Sequence, residues 1–226
     1  MPTLVFDIET SALPLEHFDE AQQEYLFREA DKIEDSLQKE ARRGELARML
    51  SLYPLTSTVL CIAMVNADTG RGKVLFTAED EEAAELATNE TVEFIPCVDE
   101  TDLLQQFWEF APKYDRVVTF NGRGFDVPFL YLRSALLNVP ISRKDWLGYR
   151  YAFEPHCDLA DQLTFYGVSG RDGAARKFNL DFYCKVFGIE SPKSHDVAQA
   201  VLGDLDMPPL LQHAAYIHAA DAVAFG

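Results

Sequence analysis

With 226 residues, 48% of them hydrophobic, the chain is long enough to bury one substantial core and short enough not to need dividing. Twenty Lys and Arg against 37 Asp and Glu leave a net charge of −17, which excludes a protein that grips long nucleic acid nonspecifically through a basic face. No apolar run approaches the ~20 residues of a membrane span and the first residues lack the blocks of a secretory signal, so one soluble, cytoplasmic domain over 1–226 is expected.

The four cysteines, Cys61, Cys97, Cys157 and Cys184, form no CxxC pair, so reduced, mainly buried thiols are expected instead of a zinc cage or a disulfide framework. Charge is unevenly spread. Residues 1–142 carry 12 basic and 26 acidic side chains, 143–193 carry 8 and 7, and 194–226 carry none and 4. Any phosphate-facing surface should therefore draw on Arg143, Lys144, Arg150, Arg171, Arg176 and Lys177, with a solvated loop as the alternative.

In chain order, residues 3–6 read as an apolar strand that closes in FDIET at residues 6–10, with Asp7 and Glu9 two apart on one face. Leu26, Ala30, Ile33, Leu37 and Ala41 recur at helical spacing within a charged stretch, which predicts one or two surface helices as an insertion at about 16–50. Ser57–Asn66 alternates and is rich in Val, Leu and Ile, a turn follows at 68–72, and 73–77 reads as the return strand of a central hairpin. Asp99 is placed to cap a helix bearing Leu103, Leu104, Phe107 and Trp108; then 116–120 is a buried strand and 125–137 a helix. Beyond residue 140 the pattern turns helical, at 159–165, 180–187 and from about Pro209, with a polar glycine-bearing loop at 167–177. Strands first, then strand alternating with helix, fit a three-layer α/β domain with a central mixed sheet flanked by helices, in which the first strand lies beside the 116–120 strand. Ligand sites gather at such strand ends.

Two carboxylates side by side repel and take up protons, whereas a hard divalent cation favours clustered oxygens, so Asp7 and Glu9 suit a metal. A polar strand end is the plain alternative. In FNGRGFDVPFL, residues 120–130, Asn121 and Gly122 turn the chain and Asp126 projects from the junction of strand and helix, with a helix N-cap as its alternative. His156 and Asp158 in PHCDL, and His195 and Asp196 in KSHDV, are read first as caps or backbone-binding groups, with metal ligation second. Trp108, Trp146 and most phenylalanines are core, although Phe125 and Phe178 are able to stack on a base.

FDIET together with NGRGFD resembles the first two motifs of the DEDD superfamily of 3′-5′ exonucleases, within it the proofreading exonuclease domain of family-B DNA polymerases and its free-standing relatives. The resemblance implies a ribonuclease H-like fold. It also implies that Asp7, Glu9 and Asp126 hold two divalent ions, Mg2+ or Mn2+, that Asn121 and Phe125 line the path of the strand end, and that the partner is the 3′ end of DNA or RNA. The third family motif places a Tyr or His four residues before a final aspartate. Here Asp221 is the candidate, but Ile217 occupies that position, with Tyr216 five before and His218 three before. On a regular helix residues three apart share a face and residues five apart diverge by about 140°, so His218 fits the geometry better, while a local bulge would restore Tyr216. The implied activity is hydrolysis at the 3′ end of single-stranded or frayed nucleic acid by a two-metal mechanism. The altered third motif keeps open an impaired member that binds nucleic-acid ends or a protein partner, and the negative charge keeps open a hydrolase of small phosphorylated molecules.

Overall fold

The computed structural model describes residues 1–77, 91–167 and 176–189. Its centre is a six-stranded sheet in the order β4-β3-β2-β1-β5-β6, made of β1 (Thr3–Ala12), β2 (Ser57–Asn66), β3 (Gly72–Thr77), β4 (Val92–Cys97), β5 (Arg116–Thr119) and β6 (His156–Asp158). Only β2 runs against its neighbours; β1 is parallel to β5, β5 to β6, and β3 to β4. This is the expected mixed sheet with β1 in its interior.

Alternation along β1 feeds two cores. Leu4, Phe6 and Ile8 face one side, where they meet Leu103, Leu104, Phe107 and Trp108 of α3 (Glu100–Phe110) and Val127, Phe129 and Leu130 of α4 (Asp126–Leu136). Val5 faces the other side with Cys61, Ala63 and Val118, under Leu159 of α5 (Leu159–Leu163) and Leu180 and Cys184 of α6 (Leu180–Val186). Burying both faces is what makes the interior strands near-continuous in apolar residues. The first core holds an aromatic cluster, with Phe6 stacked on Trp146 at 5.5 Å and in contact with Phe107 at 5.3 Å. All four cysteines are buried and unbonded, as expected.

A bulge interrupts the β1–β2 ladder. Glu9 pairs with Cys61 but Thr10 pairs with Val59, so Leu60 is the extra residue and Val59 joins the core of Ile62 instead of that of Cys61. The bulge lies beside Glu9, and Thr10 turns its hydroxyl to the Ser51 carbonyl at 2.7 Å.

Between β1 and β2 the chain makes α1 (Glu20–Asp31) and α2 (Ser36–Met49), capped by Asp19 in a reciprocal box with Gln22 and by Asp35. The apolar spacing does not run through both. It stops at the break after Asp31; Phe27 and Ala30 are buried, while Leu37 is 81% exposed and α2 buries nothing. Lys39 and Arg43 bridge back to Asp31 instead.

Asp99 caps α3 through the Asp102 N–H as the sequence predicts. Two strands were not anticipated, β4 and β6, and both are sheet edges. Pro96 in β4 and the three-residue length of β6 hide them from any alternation rule. The segment from about Pro209 lies outside the described residues. No helix among them is long and apolar enough to cross a membrane.

Candidate metal and 3′-end site

The parallel strands β1, β5 and β6 finish at one end of the sheet, and the chain departs from β1 and β5 in opposite directions there, the place where α/β sheets form a crevice. Along β1, strand β5 flanks only Thr3–Val5 and stops at Thr119, whereas β1 continues. The N–H of Ile8 therefore has no strand beside it, and the Asp126 carboxylate takes it at 3.2 Å. Phe125, not Asp126, occupies the N-cap of α4, so the capping role allowed from sequence is not the one seen.

Asp126 is 1% exposed. Burial pushes its carboxyl well above the usual carboxylate range, and the neighbouring Asp7 charge and a hydrogen bond with Asp7 push it further. Asp7 and Glu9 are both half-buried on the Val5 face, and both also raise the buried Cys61 thiol, after burial itself. Asp7 and Asp126 thus stand together along the middle of β1, just past the point where β5 stops; the strand expected to close at residue 6 runs on to Ala12, so the two acids Asp7 and Glu9 lie within it and not at its end. Among the described residues no group of three or more His, Cys, Asp or Glu side chains is gathered closely enough to hold an ion. Asp221, Tyr216 and His218 lie outside the described residues, as do His195, Asp196 and Arg171.

The turn between β5 and α4 is fixed by its own chemistry. Asn121 has φ 67, a left-handed conformation that Asn tolerates. At Gly122 a Cβ would fall 2.2 Å from Thr119 Oγ1, so only glycine fits. Asp158, at the end of β6, spans the turn: Oδ1 accepts from Asn121 N–H at 2.8 Å and Oδ2 from Arg123 N–H at 2.9 Å, while Oδ1 also caps α5 through Ala160 N–H. The Trp146 carbonyl lies 3.1 Å from His156 Nδ1 and accepts its proton, which leaves Nε2 to accept from the Thr119 hydroxyl at 2.7 Å. Thr119 Oγ1 in turn accepts from Gly122 N–H at 3.1 Å. Burial holds this imidazole neutral, pulling its pKa down to about 4. His156 and Asp158 are therefore backbone-binding and capping groups, the reading preferred from sequence.

Around this turn, Lys177 Nζ donates to Asn121 Oδ1 at 2.5 Å. Phe125 packs half-buried on Phe129 at 5.4 Å, and Phe178 stacks on Phe182 at 4.3 Å. The basic block divides. Arg143 bonds the carbonyls of Tyr114 and Asp115, before β5 begins and hence at the opposite end of the sheet, and it pairs with Asp145. It is a structural clamp, and the expectation that it faces phosphate is corrected. Arg123, not singled out from sequence, donates to the carbonyls of Ala152 and His156, both at 3.0 Å. Its signal was only its place inside NGRGFD.

The fold has solved counterparts. It is similar to the family B DNA polymerase of the hyperthermophilic archaeon Pyrobaculum calidifontis, with TM-score 0.53 and 18% identity over 98% of this chain and 23% of that one. The architecture is thus the ribonuclease H-like exonuclease fold, and the chain spans about a quarter of that polymerase's length. The sequence matches no curated protein. Residues 58–198, from β2 past α6 and including Asn121, Phe125 and Asp126, match the family described as a predicted 3′-5′ exonuclease related to the exonuclease domain of PolB. Since that match spans more than half of its length, the chain belongs to this family.

Proposed function

We propose that the protein is a metal-dependent 3′-5′ exonuclease that hydrolyses phosphodiester bonds at the 3′ end of single-stranded or frayed DNA or RNA with two Mg2+ or Mn2+ ions. The observation that carries this reading is Asp126, nearly fully buried and set against Asp7 within β1, where β5 no longer flanks it. Like charges held together under burial are costly alone, and a divalent cation between them reverses the sign of that interaction. The donor set is all oxygen, which suits Mg2+ or Mn2+.

Asp7, Glu9, Asp126 and Asp221 would hold the ions. When bound, they supply a nucleophilic water at neutral pH and offset charge on the phosphate and the departing 3′ oxygen. His218 or Tyr216 would position the attacking water, a role typically worth about 10²–10⁴ in rate. Asn121 and Phe125, on the rigid turn braced by Asp158, would line the path of the strand end. Lys177, bonded to Asn121, would meet a phosphate of the strand.

Incubation with 3′- and 5′-labelled single-stranded oligonucleotides in Mg2+ or Mn2+ tests the reading. The wild-type protein should produce a ladder shortening from the 3′ end, and Asp7→Ala should not. No product from the wild type with either ion would favour a binding-only member, the reading that the displaced residue before Asp221 keeps alive.

A further inference from the structure

The segment between α4 and β6, and the turn after α5, carry side chains that metal binding leaves unused. Tyr149 is 73% exposed and Tyr151 51%, and their rings meet edge to face at 5.6 Å. Tyr151 meets Tyr166 in the same way at 5.3 Å, and Phe165 next to it is 68% exposed. An exposed run of large rings in contact with one another marks a surface used for recognition. The Tyr166 end is held in place: Gln162 donates to its hydroxyl, and Phe165 and Tyr166 have φ of 50 and 55. Bulky residues rarely adopt that left-handed conformation, and where they do, it concentrates at ligand sites.

The charges beside this row favour an anion. Arg150 is exposed, 5.9 Å from the Tyr151 ring centroid. Arg123 ties the carbonyls of Ala152 and His156 to the turn that bears Asn121, and Lys177 bonds Asn121 itself. Two carboxylates face these cations. Asp158 has both oxygens on backbone N–H groups, and Asp161 lies within the field of Arg150, Arg123 and Lys177 together.

We propose that Tyr149, Tyr151 and Tyr166, with Arg150, form a platform on which the bases of a single nucleic-acid strand stack while its 3′ end lies at Asp7 and Asp126. The end that enters the site rests on the exonuclease reading; the stacking itself needs no metal. Every base offers a π face, so the platform is indifferent to sequence, and Arg150 serves both the phosphate and the ring.

Binding in chelator separates this from catalysis. The fluorescence anisotropy of labelled dT12 and U12 is titrated with wild type, Tyr149→Ala/Tyr151→Ala, Tyr149→Phe/Tyr151→Phe and Arg150→Ala, with melting curves recorded for each. The alanine pair should weaken binding roughly tenfold or more, the phenylalanine pair should retain it, and Arg150→Ala should lower the salt slope by about one. Equal affinity in the alanine pair overturns the platform, as does equal loss in the phenylalanine pair or a wild type that binds neither oligomer. If the alanine pair fails to fold, the exposed Tyr149→Ala alone carries the test. Loss of binding in the alanine pair together with a wild type inert in Mn2+ would leave the platform standing and remove the exonuclease.

Discussion

Asp126 and Asp158 are both buried aspartates at the junction of strand and helix, yet their surroundings differ in one respect. The two oxygens of Asp158 accept from the backbone N–H groups of Asn121, Arg123, Ala160 and Asp161. Asp126 accepts the strand N–H of Ile8 and its own backbone N–H, and it faces Asp7 across a shared hydrogen bond. The first carboxylate is consumed by the fold; the second retains lone pairs and a like-charged neighbour. Neither residue type nor spacing separates the two. The number of backbone donors does.

That contrast breaks most visibly in activity. Asp126→Asn keeps an acceptor for Ile8 but removes the charge, and should lower the rate of 3′-end hydrolysis by at least about 10³, read from single-turnover product curves. Asp158→Asn, measured beside it, should retain most of the rate. If the two variants lose activity equally, the distinction fails.

Stability should show the reverse ranking. Asp158→Ala strands several buried N–H groups and uncaps α5, which should cost about 3 kcal/mol in urea denaturation. Asp126→Asn should cost nothing.

The His156 side of the network should respond to acid. With a folded pKa of about 4 against 6.5 for the ordinary imidazole, the unfolded chain takes up a proton that the folded chain refuses. The contribution of His156 is complete above about pH 6.5 and falls away between 6.5 and 4, a loss of up to about 3 kcal/mol. An imidazole resonance assigned to His156 that titrates near 6.5 would refute the hydrogen-bonded tautomer. Asp126 has the opposite sign: its raised pKa contributes stability at low pH that is lost as the pH rises through the folded value. In chelator, Asp126→Asn should therefore flatten that limb and be the more stable protein above it.

Most of the sheet's interior was legible because β2, β3 and β5 are apolar runs bounded by turns or charges; β1 was legible only in its first half, since Asp7 and Glu9 read as its end although the strand continues through them to Ala12. The edges β4 and β6 were not, since an edge strand needs only one neighbour and tolerates Pro96 or a length of three residues. At the site, FDIET and NGRGFD stand out as strings, and the structure brings Asp7 and Asp126 together from 119 residues apart in sequence. The roles of Arg123 and Arg143 were hidden, because both are set by which backbone carbonyl lies within reach, a matter of tertiary placement. The tyrosine row was hidden for a related reason. Tyr149 and Tyr151 are two apart in a loop with no periodicity, and Tyr166 joins them from another element.

Strand β1 enters the sheet with β2 on one flank and β5 on the other, but its covalent link onward is the long excursion of α1 and α2. Leu4, Val5, Phe6 and Ile8 are each less than 5% exposed, so what seats the strand is burial and ladder bonding, with little owed to the tether. A cut between α1 and α2 would thus yield two fragments able to reassociate, one of them a short peptide delivering Asp7 and Glu9. The acidic strand could then be exchanged chemically, with synthetic carboxylate analogues in place of the encoded ones.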